Sequence, residues 1–109
     1  ILYGGIAMPM QGISLIREVA AKDSNNIYAQ MSLGRASLMS NQTEKAVEHF
    51  KKVVSLQPGN VEAIFRIAEI AEQTGNKKEA INWYTRLLPL INRAEIKKDI
   101  ETRIAELKK

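Results

Sequence analysis

Cysteine is absent from this 109-residue chain, so it can build no disulfide framework, thiol nucleophile or thiolate metal site, and its redox compartment leaves no mark on the sequence. Histidine occurs once, as His49, without the second histidine or cysteine that a metal site of ordinary spacing needs. Glycine and proline are sparse, at six and three residues. The Gly4 and Gly5 pair lacks the rest of a phosphate loop or dinucleotide fingerprint, and no nucleophile motif is present. These absences argue against an enzyme and against any cofactor or metal. No apolar run reaches membrane-spanning length. Charge is nearly balanced, with 16 Lys and Arg against 12 Asp and Glu for a net +4, and the signs are interleaved in helical pairs. A phosphate-binding stripe would need clustered cations with aromatic residues between them, so nucleic acid is only weakly suggested. The opening at Ile1, without an initiator Met, reads as a piece of a longer chain. The compartment is unspecified, cytoplasmic or periplasmic, with tethering through a preceding segment left open.

What the chain does have is a spacing. Ala29, Ala46, Phe50 and Leu56 recur 34 residues later as Ala63, Ala80, Tyr84 and Leu90. Within each period the apolar residues fall at helical intervals. Ile27, Met31, Leu33, Gly34, Ser37 and Leu38 predict a first helix from Ile27 to Ser40, interrupted over Asn41 to Thr43. Ala46, Val47, Phe50, Val53 and Val54 predict a second from about Glu44 to Leu56, stopped by Pro58 and Gly59. The next pair begins at Asn60, runs to about Thr74, breaks at Gly75 and restarts behind Asn76, with Glu79 three residues on as in a capping box. Small residues at Gly34 with Ala46, and Ala68 with Ala80, allow the helices of each pair to approach closely.

At these residues the sequence resembles the tetratricopeptide repeat family, whose unit is a helix-turn-helix of this length. Leu33, Gly34, Ala46, Phe50, Val53 and Pro58 match the family's packing positions in one unit, and Ile64, Ile67, Ala68, Ala80, Tyr84 and Leu87 in the next. Gln30, Ser37 and Ala71 stand where aromatic residues are usual, and Asn92 replaces the closing proline. The resemblance implies an all-α fold, a right-handed α-α superhelix of antiparallel helix pairs. It divides one domain, 1–109, into a partial repeat over 1–26, repeats over 27–60 and 61–94, and a capping helix over 95–109. In the partial repeat Tyr3, Gly12, Ile16 and Val19 hold the register and only the second helix, about Met10 to Lys22, is present. Pro89 closes the last pair. The stripe Ile96, Ile100, Ile104 and Leu107 is that of a helix capping a stack against solvent.

The resemblance also implies a function, binding of a peptide or helix from another protein in a concave groove lined by first helices. Carried across, the groove positions are Tyr28, Met31, Ser32, Arg35, Leu38 and Met39 in one unit, and Glu62, Phe65, Arg66, Glu69, Glu72 and Gln73 in the next. Met31 and Phe65 would anchor apolar side chains, while Arg35 and Arg66 would hold a carboxylate or peptide backbone by forked hydrogen bonds. The plainer expectation is that Tyr28, Met31 and Leu38 pack internally and that Arg35 pairs with Glu69. Relatives that clamp acidic chaperone tails need lysines and asparagines where this chain has Met31, Arg35 and Arg66, and a third unit, so that partner is disfavoured. His49 is expected to be solvated or packed at an edge, and Trp83 to pack between second helices. The competing hypothesis is self-association, through an apolar face near Ile6, Ile13, Ile16, Tyr28 and Met31 that a missing first helix leaves uncovered.

Overall fold

The computed structural model describes residues 16–19, 22–23 and 25–109. Residues 16–19 are helical, and the Asp23 N–H closes on the Val19 carbonyl at 2.8 Å. The remainder of the helix expected over 10–22, with Tyr3, Ile6, Gly12 and Ile13, lies outside the described residues. Five α-helices follow: α1 Ile27–Met39, α2 Thr43–Leu56, α3 Val61–Gln73, α4 Lys77–Leu87 and α5 Ala94–Leu107, with a 3-10 turn Leu88–Leu90 before the last. No strand occurs among the described residues. The chain divides between Pro58 and Gly59 into two compact units.

In the first unit α1 and α2 form a helical hairpin. Asn26 caps α1, its extended backbone letting the side-chain carbonyl accept the Ala29 N–H at 2.9 Å. The turn to α2 passes through Asn41 at φ 61°, a left-handed conformation that asparagine tolerates better than most residues. The Gln42 N–H reaches back to the Ser37 carbonyl at 2.7 Å, the six-to-one bond of a Schellman end. On α2 the stripe Ala46, Phe50, Val53 and Val54 is buried, and Glu44, Lys45, Glu48 and Lys51 are exposed. The Phe50 ring lies flush against Gly34. A Cβ on Gly34 would stand 2.7 Å from Phe50 Cε1 and 2.8 Å from Cζ, so only hydrogen fits there.

The second unit repeats the plan. Asn60 caps α3 on the Ala63 N–H at 2.9 Å, Gly75 makes the left-handed turn at φ 81°, and the Asn76 N–H returns to the Ala71 carbonyl at 2.8 Å. Ala63, Ile64, Ile67, Ala68 and Ile70 are buried on α3, and Ala80, Tyr84 and Leu87 on α4. Each fully buried Ile, Leu or aromatic of this kind contributes about 1.5 to 3 kcal/mol of apolar transfer. Pro89 sits in the 3-10 turn, and α5 folds back on α4 and on that turn through Ile100 and Ile104. Ile96, expected in the same buried stripe, is 39% exposed. It lies in the first turn of α5, at the open mouth of a cleft described below.

Candidate functional site

The residues expected to line a groove fall into two groups, one on each unit. On α1, Tyr28 and Met39 are 57% and 53% exposed and Arg35 is exposed, while Leu38 is half-buried. Met31 and Ser32 are only 6% and 4% exposed and offer a ligand little surface as they stand. On α3, Glu62, Phe65, Arg66, Glu69 and Glu72 are half-buried and Gln73 is exposed. Arg66 is already engaged, its Nη1 lying 3.1 Å from Glu69 Oε1 one turn along the same helix. Its Nε is buried without a hydrogen-bond partner. Glu69, expected to pair with Arg35, thus has a cation on its own helix.

Phe65 sits beside a polar knot that sequence reasoning did not find. Its ring meets Tyr84 edge to face, with centroids 6.3 Å apart and planes at 61°. The Tyr84 hydroxyl donates to Glu72 Oε1 at 2.8 Å and accepts from Arg103 Nη1 at 3.1 Å, and the Arg103 guanidinium lies 5.7 Å from the Tyr84 ring centroid. Arg103 Nε is 3.9 Å from the same Glu72 oxygen, closing a triangle among α3, α4 and α5. Burial pushes the phenol up from 10 to about 12, with Glu72 adding to the rise and Arg103 opposing it.

Between α3 and α5 a cleft of about 410 Å³ remains open, floored by Leu87, Ile91 and Ile100 and walled by Val61, Phe65 and Ile96. Asp99 and Arg103 are the charged residues on its lining. Val61, like Ile96, is more than a third exposed. Of the expected groove residues only Phe65 lines this cleft. The missed signal was in α5: Ile96, Asp99, Ile100 and Arg103 stand at the i, i+3, i+4, i+7 spacing of one helical stripe, so both charged residues belong to the apolar face.

In the first unit a more polar cleft of about 680 Å³ runs along Leu33, Ser37 and Ser40 to Lys45 and His49, with Arg17 on its lining. His49 is half-buried and donates from Nδ1 to Gln30 Oε1 at 2.8 Å. This bond explains the departure at Gln30, which is buried where an aromatic was expected: the two polar side chains satisfy one another across α1 and α2. Burial depresses the imidazole, with Glu48 opposing and Lys45 adding to the effect. Trp83, the counterpart of His49 in the second unit, carries the Arg86 guanidinium 4.4 Å from its ring centroid. Among the described residues no three His, Asp or Glu gather as metal ligands, and no helix is long and apolar enough to cross a membrane.

Comparisons with known proteins bear on the fold and the family. FK506-binding protein 59 of Drosophila melanogaster is 35% identical over 75 residues, covering 64% of this chain, which spans only 17% of that protein's length. The structure of the Yersinia enterocolitica type III secretion translocator chaperone SycD superposes with a TM-score of 0.77 at 16% identity, over 90% of this chain and 70% of that one. The crystal structure of MamA superposes with a TM-score of 0.72 at 21% identity, over 94% of this chain and 64% of that one. At those identities the two structures speak to the fold alone, and the fold is all-α, of the tetratricopeptide-repeat solenoid class. The family model described as tetratricopeptide repeat matches residues 37–98, more than half of the sequence. Repeat spacing, paired Asn caps, matched left-handed turns and this match together make the chain a member of the tetratricopeptide repeat family.

Proposed function

We propose that the chain is a non-catalytic protein-interaction scaffold, and that its second unit takes an apolar side chain from a helix or extended segment of a partner protein into the cleft beside Phe65. The observation that carries this reading is the cleft itself. Val61, Phe65 and Ile96 are left partly open to water around a floor of Leu87, Ile91 and Ile100, although α5 packs on α4. Covering that apolar lining would remove it from water at about 25 cal/mol per Å². Arg66, next to Phe65 on the same helix, is held by Glu69 at 3.1 Å. In the first unit Tyr28, Arg35 and Met39 offer a separate apolar and cationic surface.

Site-specific photo-crosslinking tests the placement. A benzophenone side chain is introduced at position 96, on the cleft, or at position 102, on the exposed side of α5, and each protein is irradiated in cells of its own source. A partner crosslinked from 96 and absent from 102 is the expected result. Equal yield from both positions would remove the cleft from the interface. A product of twice the chain's own mass would favour the self-association reading instead, for which the exposed Tyr28 is the support among the described residues.

A further inference from the structure

The cleft has a charge as well as a shape, and the charge selects its occupant. Its lining carries one carboxylate, Asp99, and one guanidinium, Arg103. The guanidinium is already held, lying 3.9 Å from Glu72 while donating to Tyr84. Asp99 is different. It is exposed, lines the cleft, and makes no ion pair or hydrogen bond among the described residues, although Arg103 follows it four residues later on α5. The knot at Tyr84 turns the natural i,i+4 partner of Asp99 away from it.

The positive ends of α3 and α5 also face this region, and a positive potential there would favour an anion. Each end already has its own acid in the first turn, Glu62 in α3 and Glu95 in α5. Glu95 is itself 3.4 Å from Arg93, and of the charges on the cleft lining the one without a side-chain partner among the described residues is Asp99.

We infer that the occupant of the cleft is a basic amphipathic segment: an apolar side chain enters between Phe65 and Ile96 while a lysine or arginine about one turn away pairs with Asp99. This rests on the reading of the cleft as a binding site and adds to it the chemistry of the partner. An acidic group at the same place would meet the carboxylate of Asp99 instead. The pair with Asp99 is stronger at low salt, since that carboxylate is exposed.

Two synthetic helical peptides with the same leucine stripe, one flanked by lysines and the other by glutamates at the same positions, separate the two ideas. Their affinities are measured by fluorescence anisotropy against the full chain, Asp99→Asn and Ile96→Glu. The expected result is that the lysine peptide binds roughly three- to tenfold tighter than the glutamate peptide, that Asp99→Asn removes most of that preference, and that Ile96→Glu weakens both. Equal affinities, a preference for glutamate, or a lysine preference untouched by Asp99→Asn would overturn the basic segment. If Ile96→Glu still weakened both peptides, the cleft would stand as a binding site. Failure of both peptides to bind, or affinities indifferent to Ile96→Glu, would overturn the cleft and the inference together.

Discussion

Arg103 holds Tyr84 from both of its chemical sides, donating to the hydroxyl at 3.1 Å while its guanidinium lies 5.7 Å from the centroid of the ring. One residue of the last helix thereby fixes an aromatic residue that is itself fully buried.

Removing the hydroxyl tests that arrangement. Tyr84→Phe keeps the ring and deletes both hydrogen bonds, leaving Glu72 and Arg103 to pair directly across 3.9 Å, and is expected to cost about 1 kcal/mol in denaturant unfolding. The pH dependence gives a second readout. Tyr84 titrates at about 12 in the fold against 10 when unfolded, so the fold favours its neutral form. That stability is fully present below pH 10 and is lost as pH rises from 10 towards 12. The phenylalanine variant should lack this alkaline slope, and a slope of unchanged size would assign it to lysines instead.

Gly34 cannot gain a methyl group without moving Phe50. Alanine is the better helix former by about 1 kcal/mol, but overpacking a closed contact costs roughly 1 to 3 kcal/mol. Because the Phe50 ring is fully buried and cannot withdraw, the clash wins and Gly34→Ala should destabilise the chain. Adding Phe50→Leu relieves the clash, so the double mutant should be more stable than the sum of the single changes predicts. Strict additivity would show that the two residues do not press on one another.

Of the four helix starts in the two pairs, that of α2 is the one without a side-chain cap. Gln42 caps it with no side-chain bond, whereas Asn76, its counterpart at α4, accepts the Glu79 N–H at 3.4 Å. Gln42→Asn shortens the side chain to capping length and is expected to raise stability by about 0.5 kcal/mol, read as a higher urea midpoint at unchanged slope.

His49 makes stability sensitive to mild acid. Its folded pKa lies below the unfolded 6.5, chiefly because burial disfavours the imidazolium. The unfolded chain therefore binds the proton more readily, and the contribution of neutral His49 is present above pH 6.5 and falls away as pH drops below it. The melting temperature of His49→Gln should vary less than that of the parent between neutral pH and pH 5, and a steeper fall would contradict this assignment.

The register of the repeats was legible because it is set by short side chains and backbone signals. Ala46 and Ala80, Asn26 and Asn60, and the turns at Asn41 and Gly75 act through sterics and caps that a spacing of 34 residues displays directly. What stayed hidden was carried by long side chains. Arg103 reads on the page as one more surface cation, and nothing in its neighbours announces that it bends back to Tyr84, 19 residues away. Gln30 stands where an aromatic is usual and His49 is expected to be solvated or packed at an edge, and the bond joining them exists only after α1 and α2 have met. Met31 was read as a groove residue from its place in the repeat and is buried, since a position in a repeat fixes the direction of a side chain and not how much of it remains open.

The left-handed turn at Gly75 opens onto empty space, with no atom within 4 Å of where a Cβ would sit, while the first unit makes the same turn with Asn41. Glycine is favoured at that point by the positive φ alone, and not by any shortage of room. Glycine there enlarges the ensemble the unfolded chain can wander through, and the excess is conformational entropy surrendered on folding without any gain in contact. The first unit avoids part of that loss through one side chain, so the two turns, alike in the native state, differ in the disorder they permit before it.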